Sequence, residues 1–246
     1  MIARVLPHLV ADGPRQMALD EAILEAVSDD PKAAVVRTYE WSRPTLSLGY
    51  FQSYHEPAED PLWRDVPIVR RPTGGGAIWH HHDVTYSLCV PRGHELARRA
   101  DRLYAAVHSA IIGQFGNPDL PAGLRGHGNA PPIQRPFLCF ADHDPHDVVI
   151  AGVKVVGSAQ RRRAGAVLLH GSILLARSEH FPDLIGLSDL GWDRVDATDW
   201  AAQLRRAILE ALDAEPMESD FDLDVNRRAA VLERERYRGD AWLKRR

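Results

Sequence analysis

The sequence has few cysteines, no excess of positive charge and no long hydrophobic run. Two cysteines among 246 residues exclude a disulfide framework and a four-cysteine zinc site. Thirty lysines and arginines against 34 aspartates and glutamates give a formal charge of −4, so nothing favours nucleic acid as a partner. Uninterrupted apolar runs such as residues 137–141 reach only five residues, whereas a membrane helix needs about 20. We therefore expect neither nucleic-acid binding nor membrane insertion.

The hydrophobic fraction and the first residues indicate a globular protein of the cytoplasm. Hydrophobic residues make up 45% of the chain, which is enough for a real core. Residues 1–5 contain no positively charged lead and no long apolar stretch, so they are not typical of a secretory signal. We expect a soluble cytoplasmic enzyme.

Hydrophobic periodicity predicts alternating helices and strands. Apolar residues at helical spacing predict helices over residues 14–27, 96–111, 200–212 and 225–243. Alternating or β-branched stretches predict strands over residues 34–39, 45–48, 67–71, 84–89 (half-buried), 147–151, 153–160 and 166–175. Residues 116–136 are predicted to form a long loop. This pattern favours an α+β fold in a single domain over residues 1–246, with mainly antiparallel sheets flanked by helices.

Three consecutive glycines, Gly74, Gly75 and Gly76, follow the predicted strand at residues 67–71. Glycines at this position let the backbone approach a ligand closely and offer N–H groups to oxygen atoms. The segment is neither a phosphate-binding P-loop nor a dinucleotide fingerprint, because it lacks both spacings. A simple turn between two strands explains the glycines equally well.

One lysine and one cysteine are candidates for covalent chemistry. Lys154 follows a hairpin glycine in a valine-rich strand, where strict alternation puts it on the same side as Val156. If that side lines a pocket, the ammonium is a charge partner or proton carrier; the alternative is an edge lysine in water. Cys139 leaves the predicted loop, and its thiolate would need a nearby cation to be nucleophilic. The alternative for Cys139 is a small buried hydrophobe.

Histidines invite a metal hypothesis, which the spacing does not favour. His80, His81 and His82 are consecutive, and alternation lets at most two of them share a site. His143 and His146 lack the spacing of a zinc finger or of the HExxH motif. We therefore expect no protein-built metal centre. His170 and Ser172 share one face of a predicted strand, a weak signal that a solvated face also explains.

The order of these segments resembles the biotin/lipoate protein ligase superfamily. Within it the lipoate branch is most similar, in particular LipM-type octanoyltransferases and also lipoate–protein ligase A. The resemblance covers residues 17–175. The segments that carry it are MALDE at 17–21, WSRPTLSLGYFQ at 41–52, RRPTGGGAIWH at 70–80, CF at 139–140, DVxxxGxKVxGSAQR at 147–161 and LHGSILL at 169–175.

The resemblance implies the catalytic domain of this superfamily and an acyltransferase of protein lipoylation. An octanoyl or lipoyl group would pass from octanoyl-acyl carrier protein onto Cys139, with Lys154 beside it, and then to the lysine of a lipoyl domain. Acceptors would be the glycine-cleavage H protein or acyltransferase subunits of 2-oxoacid dehydrogenases. A transferase of this kind needs no cofactor. Two alternatives stay open: a lipoate–protein ligase that uses ATP and magnesium through an acyl-adenylate, and a non-catalytic carrier-binding homologue.

The resemblance also implies a substrate site and a single catalytic domain. About 70 residues follow Leu175, which leaves little room for a ligase's accessory domain. Ala77, Val156 and Tyr50 are expected to line an acyl tunnel. Arg70, Arg71 and residues 161–163 would meet acidic partner proteins, or else be solvated. The expected acyl- and substrate-binding residues are Arg71, Gly74, Gly75, Gly76, Ala77, His80, Gly157, Ser158, Ala159, His170 and Gly171.

Overall fold

A mixed nine-stranded sheet with helices on both faces forms the centre of the protein in this computed structural model. The structure describes residues 1–117, 119–127, 136–142, 144–192 and 195–246. The strands are β1 Ile2–Val5, β2 Leu9–Ala11, β3 Ala34–Trp41, β4 Thr45–Leu48, β5 Ile68–Arg70, β6 Ile78–His80, β7 Asp83–Val90, β8 Ala122–Leu124, β9 Val148–Ile150, β10 Val153–Arg163, β11 Ala166–Leu174 and β12 Glu215–Glu218. The helices are α1 Gly13–Asp29, α2 His55–Glu59, α3 Ala100–Ile112, α4 Ala197–Ala211, α5 Leu223–Leu232 and α6 Asp240–Leu243.

The large sheet is antiparallel over most of its width and parallel at one edge. Its strand order is β12–β1–β3–β7–β11–β10–β9–β8, with β2 beside β3. Pairs from β3 to β8 are antiparallel, whereas β12, β1, β2 and β3 pair in parallel. A second sheet has the order β5–β4–β6. The prediction of an α+β fold with mainly antiparallel sheets is confirmed, and the parallel edge is an addition.

The middle strands are buried on both faces. Helices α3 and α4 cover one face of the sheet, and helices α1 and α5 cover the other. Every residue of β7 and β11 is therefore shielded from solvent. The prediction that residues 84–89 form a half-buried strand is wrong, because a sheet covered on both faces leaves no solvated side.

Several predicted elements differ in their boundaries. The helix predicted over residues 96–111 is a 3₁₀ turn, Glu95–Arg98, followed by α3. The helix predicted over residues 225–243 is divided into α5, a π-helical turn at Glu233–Tyr237, and α6. The predicted loop 116–136 contains β8, and its residues 118 and 128–135 lie outside the described part of the chain. Within that described part, no helix has both the length and the apolarity to cross a bilayer.

Helix α1 begins at a capped first turn and buries one face. The side chain of Asp12 accepts a hydrogen bond from the Arg15 N–H at 3.1 Å, and a proline occupies the first turn, where no N–H is needed. Leu19 and Ile23 pack in the same cluster as Leu168 of β11. This contact turns the polar residues on the buried face of α1 toward the middle of the sheet.

A buried ion pair joins α1 to the sheet. Arg37 of β3 donates to Asp20 Oδ1 from Nη2 at 2.6 Å and from Nε at 3.0 Å, and Tyr39 donates to Oδ2 at 3.2 Å. His170 Nδ1 of β11 lies 2.8 Å from the same Oδ2. Burial alone would raise the pKa of Asp20, but Arg37 and His170 outweigh it and hold the pKa at about 2. The carboxylate is thus charged and fixed inside the protein.

Replacing Asp20 with asparagine is expected to destabilise the fold by about 3 kcal/mol at pH 7, because Arg37 is left buried without a counter-charge. The pKa of Asp20 is about 2 in the folded protein against an ordinary 3.8, so this carboxylate stabilises the fold above pH 3.8. The difference between wild type and variant should shrink by about 2 kcal/mol as the pH falls from 4 to 2. Urea denaturation at several pH values measures this difference in the free energy of unfolding.

The matched control is Asp224→Asn, since Asp224 is 94% exposed and pairs with Arg227 at 3.4 Å. Its effect should stay below about 0.5 kcal/mol. If the two variants changed the free energy of unfolding equally and independently of pH, Asp20 would not be a stabilising buried counter-charge for Arg37.

Candidate active site

A buried arginine holds the three-glycine loop. Arg71 donates to the carbonyl oxygens of Gly74 at 2.7 Å, Gly76 at 2.6 Å and Ser47 at 2.8 Å. Burial lowers the pKa of Arg71 to about 10, so the guanidinium stays charged at neutral pH. Because Ser47 belongs to β4, these hydrogen bonds fasten the loop to the small sheet. Arg71 therefore shapes the loop rather than facing solvent.

The loop needs glycine at two places because other backbone lies against it. A Cβ on Gly49 would come 2.0 Å from the Gly75 carbonyl oxygen, and Gly75 itself has φ +90°. A Cβ on Gly76 would come 3.0 Å from the Cys139 nitrogen. The first distance excludes a side chain on Gly49 without movement of the backbone, and the second means that a side chain on Gly76 would displace its neighbours by a few tenths of an ångström. The loop is thus packed directly against the segment that carries the cysteine.

Backbone pairing brings Cys139 to the glycine loop. The Ala77 N–H donates to the Phe137 carbonyl at 2.8 Å, and the Cys139 N–H donates to the Ala77 carbonyl at 2.7 Å. Cys139 then opens a short 3₁₀ turn, Cys139–Ala141. The Ala77 side chain is fully buried, in a cluster that includes Trp79. Ala77 therefore contributes through its backbone. The prediction that its side chain lines an acyl tunnel is wrong, because Ala77 borders neither the cleft nor the slot described below.

Lys154 lies beside the cysteine in a buried ion pair. Its Nζ is 3.6 Å from Cys139 Sγ and donates to the Cys139 carbonyl at 2.9 Å. The same nitrogen is 2.9 Å from Asp147 Oδ1. Burial would lower the pKa of Lys154, but its interactions with Cys139 and Asp147 outweigh burial and raise the pKa. In this structure the sulfur therefore faces a charged ammonium.

Asp147 is a functional residue to which sequence reasoning gave no role, although it starts the matched segment 147–161. It precedes β9, and its Oδ2 accepts the Asp144 N–H at 2.8 Å. Burial raises the pKa of the Asp147 carboxyl, while Lys154 acts in the opposite direction. A register shift between Lys154 and Val156 in β10 breaks the strict alternation assumed from the sequence. Lys154, before this shift, points toward Cys139 and Asp147, whereas Val156, after it, packs in the core.

These groups border a cleft of about 250 Å³. Gly157 stands behind Lys154, since a Cβ there would come 2.8 Å from Lys154 Cε. The cleft is polar around the lysine and open toward the glycine loop. Its lining residues are Gly74, Gly75, Gly76, Tyr104, His108, Cys139, Asp142, Asp144, His146, Asp147, Lys154, Ser158, Ala159 and Gln160.

A neutral histidine lines the same cleft. His108 Nδ1 can only donate to the His146 carbonyl oxygen, so Nε2 carries the lone pair. Nε2 lies 2.8 Å from Ser158 Oγ and 3.0 Å from the Tyr86 hydroxyl. Burial lowers the pKa of His108 to about 4, which keeps the ring neutral at physiological pH. One lone pair accepts one hydroxyl proton at a time, so only one of these two hydroxyls donates to Nε2 at any moment.

A narrow, mainly apolar slot lies behind the glycine loop. It measures about 20 Å³ in this structure and adjoins the cleft at Ala159, which lines both. Its walls include the predicted residues Arg71, His80, His170 and Gly171, together with Met17, Tyr39, Trp41, Ser47, Ile78, Thr85 and Ser172.

Both ring nitrogens of each predicted slot histidine, His80 and His170, contact another side chain. His80 contacts Ser47 Oγ at 2.9 Å and Asp83 Oδ2 at 2.8 Å. His170 contacts Thr73 Oγ1 at 2.7 Å in addition to its carboxylate partner in α1. Both rings therefore form slot walls. Sequence reasoning identified the residues but not these partners.

Four other expectations are corrected by the structure. Val156 is fully buried in the core between the sheet and α3 and α4, and Tyr50 lies beneath the guanidinium groups of two arginines; neither lines the slot. Arg70 and Arg71 are 0% and 2% exposed. Buried guanidinium groups cannot meet a partner protein, so only the exposed arginines of residues 161–163 retain that role.

The histidine segments do not converge on a metal site in the part of the chain that the structure describes. Among those residues, no group of three histidines, cysteines or carboxylates is placed to hold an ion. His81 contacts Ser178 Oγ at 2.9 Å, and His146 contacts Asp144 at 3.1 Å. His143 lies outside the described residues.

A family model described as the lipoyl protein ligase A/B catalytic domain matches residues 12–186. The chain belongs to this family. The matched residues include both the glycine loop and the segment from Asp147 to Lys154, so the cleft lies inside the family's catalytic domain.

Curated relatives of this lipoyl ligase family member are named octanoyltransferase LipM. The Bacillus subtilis protein is 36% identical over 171 residues, which are 66% of this chain and 62% of the relative. That of Symbiobacterium thermophilum is 36% identical over 169 residues, 66% and 61% of the two chains. The Macrococcus caseolyticus protein is 27% identical over 94% of both chains. The chain thus covers less than two thirds of the length of the first two relatives.

Solved structures show the same fold. The Thermoplasma acidophilum protein Ta0514 with bound lipoic acid superimposes with a TM-score of 0.77, 21% identity and full coverage of both chains. A lipoate-protein ligase A bound with ATP gives a TM-score of 0.72 at 21% identity, covering 99% of each chain. This chain and these two proteins therefore share one fold.

The lysine should make Cys139 an unusually reactive thiol at neutral pH, because an ammonium beside the sulfur stabilises the thiolate. Replacing Lys154 with methionine should slow alkylation of Cys139 by iodoacetamide roughly tenfold at pH 7. Cys89 should not react in the folded protein, since it is fully buried and burial raises its pKa. Peptide mass spectrometry of samples taken at successive times measures the extent of alkylation at both cysteines.

Lys32→Met is the matched control, because the Lys32 side chain is 84% exposed and pairs only with Asp30 nearby. Alkylation of Cys139 in that variant should proceed at the wild-type rate. If Lys154→Met also reacts at that rate while remaining folded, Lys154 does not activate the sulfur.

Proposed function

We propose that the protein is an octanoyltransferase of protein lipoylation that works through a thioester on Cys139. The observation that carries this proposal is the sulfur 3.6 Å from a buried ammonium, in a cleft walled by three glycines. Relatives named octanoyltransferase LipM support octanoyl as the group that is transferred. The donor is octanoyl-acyl carrier protein, and the acceptor is the lysine of a lipoyl domain.

In the first half-reaction the Cys139 thiolate attacks the thioester carbonyl of the donor. Backbone N–H groups of Gly75 and Gly76 border the cleft and are the donors we assign to the developing oxyanion. The bond between the carbonyl carbon and the donor sulfur then breaks. Lys154 gives its proton to the departing thiolate, and the products are octanoyl-Cys139, a free donor thiol and a neutral Lys154 amine.

In the second half-reaction the acceptor amine attacks the octanoyl-Cys139 carbonyl. The neutral Lys154 amine removes the proton of the attacking nitrogen as the new amide forms. Cys139 leaves as a thiolate beside the restored Lys154 ammonium. Asp147 holds the lysine in place through both steps, so the same pair serves as acid first and as base second.

The inner slot is the place we propose for the hydrocarbon chain. Its apolar walls, including Met17 and Ile78, begin where Ala159 meets the cleft. At about 20 Å³ the slot is nearly closed in this structure, so these side chains must move apart to admit eight carbons. Burial of the chain would add binding free energy of about 0.8 kcal/mol per methylene.

The partners we propose are the acyl carrier protein and a lipoyl domain, either the glycine-cleavage H protein or an acyltransferase subunit of a 2-oxoacid dehydrogenase. We propose that the reaction takes place in the cytoplasm and uses no cofactor. The second candidate is a ligase using ATP and magnesium, favoured by the fold shared with an ATP-bound lipoate-protein ligase A. That reaction would not require the Cys139 sulfur.

Incubation with octanoyl-acyl carrier protein alone should add one octanoyl group to Cys139, because the thiolate needs only the donor thioester to form the intermediate. Intact-protein and peptide mass spectrometry locate the group. Cys139→Ala should abolish the label, whereas Cys89→Ala should retain it, since Cys89 is buried away from the cleft. Label that persists in Cys139→Ala would contradict the assignment.

Transfer to a lipoyl domain should proceed without ATP and should stop when Cys139 is replaced by alanine. The reason is that a thioester donor already carries an activated acyl group. Gel-shift or mass analysis of the lipoyl domain measures transfer. If free octanoate or lipoate is attached only with ATP, and Cys139→Ala still supports it, the ligase function replaces this proposal; binding of carriers without any transfer would indicate the non-catalytic homologue.

A further inference from the structure

Exposed arginines and aromatic rings form a surface beside the glycine loop. We call it the arginine–aromatic surface and define it by Tyr50, Phe51, Arg161, Trp242, Arg245 and Arg246. Arg161 and Arg245 lie over the Tyr50 ring, 5.2 and 4.1 Å from its centroid. Arg246 lies 5.3 Å from the Phe51 centroid. These stacks hold the guanidinium planes in place while leaving their charge at the surface.

The surface is fixed to the active site by a buried arginine. Arg70 Nε and Nη2 donate to the Leu243 carbonyl at 2.9 and 2.8 Å, and Trp242 Nε1 donates to the Arg70 carbonyl at 2.8 Å. The Tyr54 N–H donates to the Arg246 carbonyl at 2.8 Å. Arg70 also donates to Gly49 O at 2.9 Å. Residues 242–246 are therefore held against the same strand that leads into the glycine loop.

The arginines of this surface lack carboxylate partners. Among the residues that the structure describes, no carboxylate lies within salt-bridge distance of Arg161, Arg245 or Arg246. Some exposed arginines elsewhere are paired: Arg177 and Arg228 each have a carboxylate oxygen at 2.6 Å. The three arginines of the arginine–aromatic surface gather positive charge around two neighbouring aromatic rings, in a protein with net charge −4. A cluster of like charge attracts an anionic partner.

The surface reaches the rim of the cleft. The Phe51 ring lies 3.8 Å from the position of a Cβ on Gly74, which lines the cleft, and Phe51 is 66% exposed. The cleft is also bordered by Asp142 and Asp144, and the Asp144 side chain is 64% exposed. The cleft therefore adjoins both the arginine–aromatic surface and an exposed carboxylate.

We propose that the arginine–aromatic surface docks the acidic carrier protein that delivers the acyl group, with its arginines against carrier carboxylates and the phosphodiester of the prosthetic arm. This inference rests on the proposed function. The acceptor presents a lysine ammonium, which the arginines repel and Asp144 attracts, so the surface is assigned to the donor. Phe51 provides the apolar contact next to the point where the arm enters the cleft.

The test uses the double variant Arg245→Ser/Arg246→Ser and compares two donors, octanoyl-acyl carrier protein and the small thioester octanoyl-N-acetylcysteamine. The ratio of kcat/KM for the carrier donor to that for the small donor should fall about tenfold, mostly through KM, and fall less at high salt. The control variant Arg227→Ser/Arg234→Ser removes two exposed arginines that pair locally with Asp224 and Glu235. Its ratio should equal that of wild type.

An unchanged ratio in Arg245→Ser/Arg246→Ser would overturn the proposal. A selective rise of KM for the lipoyl domain would also overturn it and assign the surface to the acceptor. Failure of the proposed function is distinguishable, because wild-type protein would then accept neither donor. In that case fluorescence anisotropy with labelled holo-acyl carrier protein decides: binding weakened about tenfold by the double variant supports the surface, and absence of wild-type binding overturns it.

Discussion

The active site depends on one buried charge, the Lys154 ammonium between the Cys139 sulfur and the Asp147 carboxylate. Burying an ammonium is unfavourable unless opposite charge and hydrogen-bond acceptors surround it. The nitrogen extends from β10, the turn before β9 supplies the carboxylate, and the Cys139 carbonyl accepts a further hydrogen bond. The proton carrier and the nucleophile that we propose are thereby held together, which is the preorganisation that acyl transfer would require.

The glycine loop is held by a continuous series of buried polar contacts. Arg37 pairs with Asp20, Asp20 with His170, His170 with Thr73, and Thr73 accepts a hydrogen bond from Arg71, which holds the loop. Helix α1 and the centre of the sheet are therefore connected to the wall of the cleft. Replacement of Asp20 is therefore expected to alter the glycine loop, because neighbouring members of the series share hydrogen bonds.

Sequence periodicity predicted the helices and the central strands, because these elements bury large apolar side chains in regular patterns. It did not predict β12, since Glu215–Glu218 is exposed along its length and joins the sheet only through backbone pairing. The juxtaposition of Cys139 and Lys154 followed from family resemblance rather than from local pattern. The role of Asp147 and the buried positions of Val156 and Arg70 depend on a bulge and on loop paths, which a pattern in the sequence does not encode.

In the mechanism that we propose, the acyl group rests on Cys139, and Lys154 controls proton transfer as the group arrives and departs. Octanoylated protein can be isolated free of donor and mixed with a lipoyl domain in a rapid-quench instrument. We expect the Cys139 label to disappear as octanoyl-lysine forms, without ATP and at least as fast as steady-state turnover. An acyl-protein that does not transfer its label, or transfers it far more slowly than turnover, would contradict this mechanism.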